Sequence, residues 1–472
     1  MVSMNRSCDN NGKVPLCLCT LCQHQVAGDD GCAVKIVNKS FECVLCFGIL
    51  DPEYISQVAK AVEKKLEDEP YDATACTLAL SLPISQVLRD TIIRRSRTDL
   101  TGILLPVPCK IRIVDSYLPK LRESSKMRFA LATELKLNIT FENNEFIDYD
   151  TRFLLQYFPE DFKPDRKRKF DESSPYTKVK VERILGRINE DIAKEFTLSS
   201  PTRFCSFSIS FEREPVFLAG RYCKYSRFLP QSPWSFEDKT APKEPGNSVS
   251  EKICDSMKFK FGASEARFIA SGREDIDVRM LGDGRPFAVE LRNCHFIKSL
   301  EGKHHLVTLR QLQNEINKDC DIRINGLARI TNEEIDQFRI GEEKRKVYVA
   351  YCYSTVPIHD ELLEDAVRKI PTEILQKTPI RVLKRRALLD RRRSIYSMEF
   401  LRLDNYHFLV RLETQAGTYV KEFVHGDFGR TRPSLADILN ISQGGVDILE
   451  LDVEKVDFDW PPTNLRIRVF KE

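Results

Sequence analysis

The sequence predicts a mixed α/β protein, and three observations lead there. Helix-like and strand-like stretches alternate along most of its 472 residues, paired cysteine knuckles mark its start, and a proline-rich stretch divides it. At roughly 150 residues per domain the length suggests about three domains, each able to bury a core. Hydrophobic residues make up 42% and charged residues 30%, the composition of a folded soluble chain. No stretch reaches the roughly 18 consecutive apolar residues of a spanning helix, and with the polar start, Met1 to Lys13, neither a membrane nor a secretory protein is expected.

Seven of the fifteen cysteines fall within the first 46 residues. Their odd number, with no secretory signal before them, points to a reducing compartment and a metal site, not to disulfides. Cys19-Thr-Leu-Cys22 and Cys43-Val-Leu-Cys46 are two C-x2-C knuckles, a spacing at which two turns present four thiolates tetrahedrally to one zinc ion. Four thiolates close the site, so the zinc is expected to be structural. Cys8, Cys17, Cys32 and His24 are competing ligands. We assign 1–48 to a zinc module.

From Asp51 onward the helix-like Tyr54 to Leu66 and the strand-like Ile111 to Val114 and Phe204 to Phe211 read as an α/β accessory region. Within it lies a compact basic run, Lys163 to Lys169, which suits a nuclear-import or nucleic-acid patch and equally a solvated loop. Pro233, Pro242 and Pro245 with Gly246 mark a linker, which sets the domains at 49–245 and 246–472. The last region carries strand-like runs at Ala288 to Leu291, Lys346 to Tyr353 and His407 to Leu412, around a helix-like Leu306 to Ile316.

The net charge is only +3, so RNA affinity must come from local clusters. Lys377 to Arg393 holds eight basic residues against one acid, Asp390. With Val382, Leu383, Leu388 and Leu389 turned inward, its arginines, among them Arg381, Arg385 and Arg386, would contact an RNA backbone, the alternative being an ordinary charged surface. In Ala270 to Phe287 the glycines Gly272, Gly282 and Gly284 would allow close approach of a ligand, and Arg273 and Arg279 would favour ionised carboxylates. A structural ion-pair network explains the same charges. Gln415 to Arg430 places Thr418, Tyr419 and Lys421 at a strand-to-helix junction.

Taken together these segments resemble the pseudouridine synthases, specifically the Pus-ten family of archaea and eukaryotes. Gly272-Arg273-Glu274-Asp275 is similar to the family's Gly-Arg-x-Asp loop, which implies Asp275 as the catalytic carboxylate, with Asp277 the runner-up. Lys346-Val347-Tyr348-Val349-Ala350 resembles the strand whose tyrosine stacks on the target base. Gly417-Thr418-Tyr419-Val420-Lys421 resembles the Gly-Thr-Tyr-x-Lys/Arg element, whose basic residue pairs with the catalytic aspartate. Ala219 to Arg227, Leu229 to Trp234, Thr378 to Leu383 and Asp447 to Asp452 extend the likeness. The resemblance implies a zinc-bearing, THUMP-like accessory domain and a catalytic domain with a mixed, mainly antiparallel sheet. It implies isomerisation of neighbouring uridines in the TΨC loop of tRNA, without an organic cofactor. Arg273 and Lys421 would compensate Asp275, Tyr348 would stack on the flipped base, and Tyr419 would line the pocket. A monomer, in nucleus and cytoplasm, is expected. The competing class is a non-catalytic RNA-binding adaptor, which would keep its function without Asp275. A methyltransferase or thiolase is disfavoured, since neither a G-x-G-x-x-G turn nor a G-x-x-x-x-G-K-[ST] loop is present.

Overall fold

A computed structural model describes residues 16–26, 34–96, 107–162, 177–233, 247–340, 344–384 and 386–462. It divides into two compact units, Met1–Arg213 and Glu214–Glu472.

In the first unit the order is β1 (Leu16–Leu18), α1 (Thr20–Val26), β2 (Val34–Ile36), α2 (Pro52–Asp68), β3 (Ala75–Ser81), α3 (Ile84–Arg95), α4 (Cys109–Ser125), β4 (Arg128–Phe129), β5 (Leu135–Glu142), α5 (Ile147–Tyr157), α6 (Lys178–Leu185), α7 (Glu190–Lys194) and β6 (Ser206–Arg213). The four-stranded sheet runs β4-β3-β5-β6, with β3 parallel to β5 and β5 antiparallel to β6. Helix α2 starts where Asp51 caps the amides of Glu53 and Tyr54, with Pro52 in the first turn, where a missing N–H costs nothing. The strand expected at Ile111 to Val114 is instead part of α4. Its β-branched run is short, while Cys109, Ile113, Tyr117 and Leu121, spaced by four and all fully buried, give a helix one continuous apolar stripe. Nor do the described residues of 1–48 form a core of their own: Cys22, Cys43, Cys46 and Phe47, with Ile49 just beyond, share one with Val58, Tyr117, Leu137 and Ile139. The basic run at Lys163 to Lys169 lies outside the described residues.

The second unit contains β7 (Val216–Lys224), α8 (Val249–Phe261), β8 (Glu265–Ala270), β9 (Arg279–Arg292), α9 (His305–Ile316), β10 (Ile322–Ile330), α10 (Asn332–Ile340), β11 (Lys346–Ser354), α11 (Asp360–Arg368), β12 (Thr372–Lys377), β13 (Asp390–Arg402), β14 (His407–Thr414), α12 (Val420–His425), β15 (Thr431–Arg432), α13 (Leu435–Ile438) and β16 (Val446–Val456). Its ten-stranded sheet runs β10-β7-β9-β16-β11-β14-β13-β12-β15, with β8 on β9. The sheet is mixed and mainly antiparallel, as expected, with β9 and β16 parallel. The boundary differs from the expected 245/246. Strand β7 sits between β9 and β10 and is buried on both faces, because a central strand needs no polar face. A chain cut at 245 would take a central strand out of this sheet.

Candidate active site

Residues 271–278 join β8 to β9, and consecutive side chains of this loop go to opposite sides. Glu274 turns inward, where Arg285 Nε donates to it at 2.6 Å and Tyr222 Oη at 2.7 Å. Gln231 Nε2 donates to Tyr222 Oη at 2.7 Å and to the Gly272 carbonyl at 3.0 Å. The Glu274 and Arg285 side chains are 0% and 1% exposed, so each charge depends on the other for compensation. Burial, then the Glu274 charge, pushes the Tyr222 phenol well above its usual range. Lys224 holds the loop from below, donating to the carbonyls of Leu229, Asp275 and Ile276. Burial pulls its ammonium down to about 8.

Asp275 and Asp277 turn outward. Arg381 Nη1 lies 3.0 Å from Asp275 Oδ2, and Lys421 Nζ lies 3.6 Å from the same oxygen. Lys421 binds Asp277 more closely, at 2.6 and 2.8 Å. Burial alone would raise the Asp277 carboxyl, but the Lys421 ammonium holds it below the usual range. Arg381 also donates to Glu422, at 2.7 Å, and so links the loop to α12. Tyr348, on β11, packs against the main core. Burial raises its phenol above the usual range, and the Arg285, Glu274 and Asp275 charges all reach it. The buried amide of Gln376 holds Tyr419 by its backbone, accepting from its N–H and donating to its carbonyl, both at 2.9 Å.

Comparison with known proteins finds the same division at the same place. The family model described as "Pus10, C-terminal" matches residues 217–457, and "Eukaryotic Pus10, N-terminal" matches 43–210. A human protein named tRNA pseudouridine synthase Pus10 is 35% identical over 433 residues, covering 89% of this chain and 79% of that protein. The Xenopus laevis protein of the same name is 36% identical, covering 89% and 81%. The one from Pyrococcus furiosus is 33% identical, covering 62% and 74%. This chain belongs to the Pus10 family.

On this Pus10 fold the residues singled out from the sequence do not all meet. Asp275, Lys421 and Arg381 converge, and the Asp275 charge reaches Tyr348. Arg381, expected on the RNA backbone, is thus occupied by Asp275 and Glu422. Arg273 is exposed and makes no ion pair among the described residues, and Arg279 pairs with Asp452 at 2.5 Å. The cations at the outward carboxylates therefore come from Arg381 and Lys421, far along the chain. Arg386 is exposed, and Arg385 lies outside the described residues. Tyr419 has the Arg391 guanidinium 5.8 Å from its ring centre. Gly282 and Gly284 admit the chain's own backbone: a Cβ there would lie 2.2 Å from the Glu454 carbonyl and 2.6 Å from that of Tyr222. Sequence reasoning missed Tyr222, Gln231, Arg285 and Gln376, none of which stood out without its partner.

The first unit carries a second site. The sulfurs of Cys19, Cys22, Cys43 and Cys46 all lie within 4.8 Å of one another, with Cys19 and Cys46 at 3.8 Å. Tetrahedral zinc with Zn–S near 2.3 Å sets sulfur–sulfur edges close to about 3.8 Å, so the donor set fits a metal ion. Arg112 Nη1 points at Cys22 Sγ, 3.3 Å away, adding positive charge beside the thiolates. Cys17 stands outside this cluster, and Cys8 and Cys32 lie outside the described residues.

Proposed function

We propose that this chain is a tRNA pseudouridine synthase with Asp275 as its catalytic carboxylate. The observation that carries the reading is the outward turn of Asp275. In a Pus10-family loop built on a buried Glu274–Arg285 pair, its carboxylate stands 41% exposed beside two cations, with its charge reaching Tyr348. The reaction breaks the N1–C1′ bond of uridine and joins C5 to C1′. The proton lost from C5 is balanced by one gained at N1, so substrate and product hold the same atoms. Whether Asp275 attacks, removes a sugar proton or stabilises charge on the sugar, it must be ionised, and the positive field of Arg381 and Lys421 favours that form. Tyr348 offers its ring to the flipped base. As Arg381 spans Asp275 and Glu422, it acts in the site more than on the RNA backbone. The basic loop around Arg386 remains the surface for RNA phosphates, and Tyr419, fixed by Gln376, lines the pocket.

In the first unit the four cysteines would hold a structural zinc ion, their thiolates crosslinking α1 to the turn at 43–46. The neighbouring uridines of the TΨC loop remain the proposed target, the monomer the proposed state, and nucleus and cytoplasm the proposed location. Pseudouridine mapping in tRNA incubated with wild type or Asp275→Asn tests the reading. Modification by wild type alone supports it. RNA binding without modification by wild type would favour the adaptor.

A further inference from the structure

Lys346 opens β11 on the face that Tyr348, Ala350 and Cys352 continue, the last two fully buried. Its amine reaches the reactive loop: a Cβ placed on Gly272 would lie 3.0 Å from Lys346 Nζ and 3.0 Å from Arg285 Nη1. Two cationic groups thus flank Gly272, three residues before Asp275, and they differ in one respect. Arg285 is neutralised by Glu274 and bonded to the Ser271 carbonyl. Lys346 has no hydrogen-bond or ion-pair partner among the described residues, because Glu274 is already taken by Arg285 and Tyr222. Lys224 and Lys421, by contrast, are bonded to carbonyls and carboxylates. Half-buried, this ammonium gives up part of its hydration without gaining a counter-ion, which is costly. Burial and the Arg285 charge, with Lys344 adding and Glu274 opposing, pull it down to about 8.

We propose that negative charge on the bound target nucleotide completes the Lys346 site, and that its ammonium donates a hydrogen bond to that charge during isomerisation. The inference rests on the synthase reading. Two parts of the nucleotide can supply the charge. As N1–C1′ breaks, its electron pair passes to the base and charge grows on the pyrimidine oxygens. A donor already in place then stabilises the transition state more than the ground state. A phosphate carries its charge from the outset and would gain in binding instead.

Kinetics of Lys346→Met and Lys346→Arg on tRNA, each with a thermal melt, test this. Lys346→Met is expected to melt no lower than wild type, since it removes an unpaired charge, yet to lose about 100-fold in kcat/KM. A loss confined to kcat assigns the pyrimidine oxygens. A loss in KM, with the salt slope of binding reduced by about one contact, assigns a phosphate. Wild-type kcat/KM should fall as pH rises through about 8, where the Lys346 ammonium is lost. In Lys346→Arg that limb should shrink to what the Lys224 ammonium, also pulled down to about 8 beneath the loop, contributes, because arginine stays charged. Wild-type kinetics in Lys346→Met overturn the proposal, as does an unchanged alkaline limb in Lys346→Arg, or an activity loss that only follows a lowered melting temperature. A wild type inactive on every tRNA would instead fail the synthase reading and take this inference with it.

Discussion

Glu274 and Asp275 are neighbouring carboxylates in opposite surroundings. Glu274 is enclosed, with Arg285 and Tyr222 spending both of its oxygens. Asp275 stands open, touched by two cations that also serve other acids. A buried pair can fix a loop because breaking it strands a charge, whereas an exposed carboxylate is free to meet a substrate. The loop is anchored below through Glu274 and open above at the very next residue, Asp275.

The sharpest break of this comparison is Asp275→Asn. Pseudouridine formation should fall to background while the melting curve stays near wild type, because Lys421 keeps Asp277 as its partner. Mapping and melts on Asp275→Asn and Asp277→Asn decide it. An active Asp275→Asn beside an inactive, folded Asp277→Asn would move the reactive carboxylate two residues on. Glu274→Gln should show the opposite pattern, a stability loss of about 3–5 kcal/mol from a broken buried pair, measured by denaturant unfolding. If it melts like wild type while losing activity, Glu274 and Asp275 have been given each other's tasks.

Metal removal extends the comparison from neighbouring residues to the two units. Stripping the Cys19, Cys22, Cys43 and Cys46 site should abolish amide protection in α2, α4 and β5, whose side chains share the cysteines' core. Protection in β9 and β11 should persist. Loss of protection in both units together would mean that they unfold as one.

Acid titration probes the outward acids more gently. Lys421 holds the Asp277 carboxyl below its usual range. That contribution is present above the ordinary carboxylate range and disappears as pH falls through the lowered value. Lys421→Met should therefore be less stable than wild type near neutral pH and converge with it in acid, the difference being small because Asp277 is 59% exposed. A gap that widens in acid would contradict the pairing. The smallest effect belongs to Arg386→Ala, which should lower the slope of log affinity against log salt by about one contact, with sequence preference unchanged. An unchanged slope would place Arg386 away from RNA.

Much of this site was legible in the residues. The Gly272 to Asp275 loop, the Tyr348 strand and the Lys421 junction each resemble a family element, and the structure places the Lys421 amine 3.6 Å from Asp275. The glycine reading was not legible. Gly282 and Gly284 are compatible with a ligand cradle and with backbone crossing, and only the position of Glu454 and Tyr222 chooses between them. The boundary at 245/246 followed composition, which marks where backbone is solvated but not which sheet a preceding strand joins.

By itself the sequence determined the local matters: four thiolates spaced for one metal ion, a strand-like run at His407 to Leu412, and a loop dense in carboxylates and arginines. Tertiary structure decided which charges meet. Arg381 reaches Asp275 across more than a hundred residues, Glu274 is enclosed by partners from two different strands, and Lys346 is left beside Gly272 without an acid. Ion pairing depends on separations of a few ångströms and on exclusion of water. Both are set by how distant strands are laid side by side, which the order of residues along the chain does not express locally.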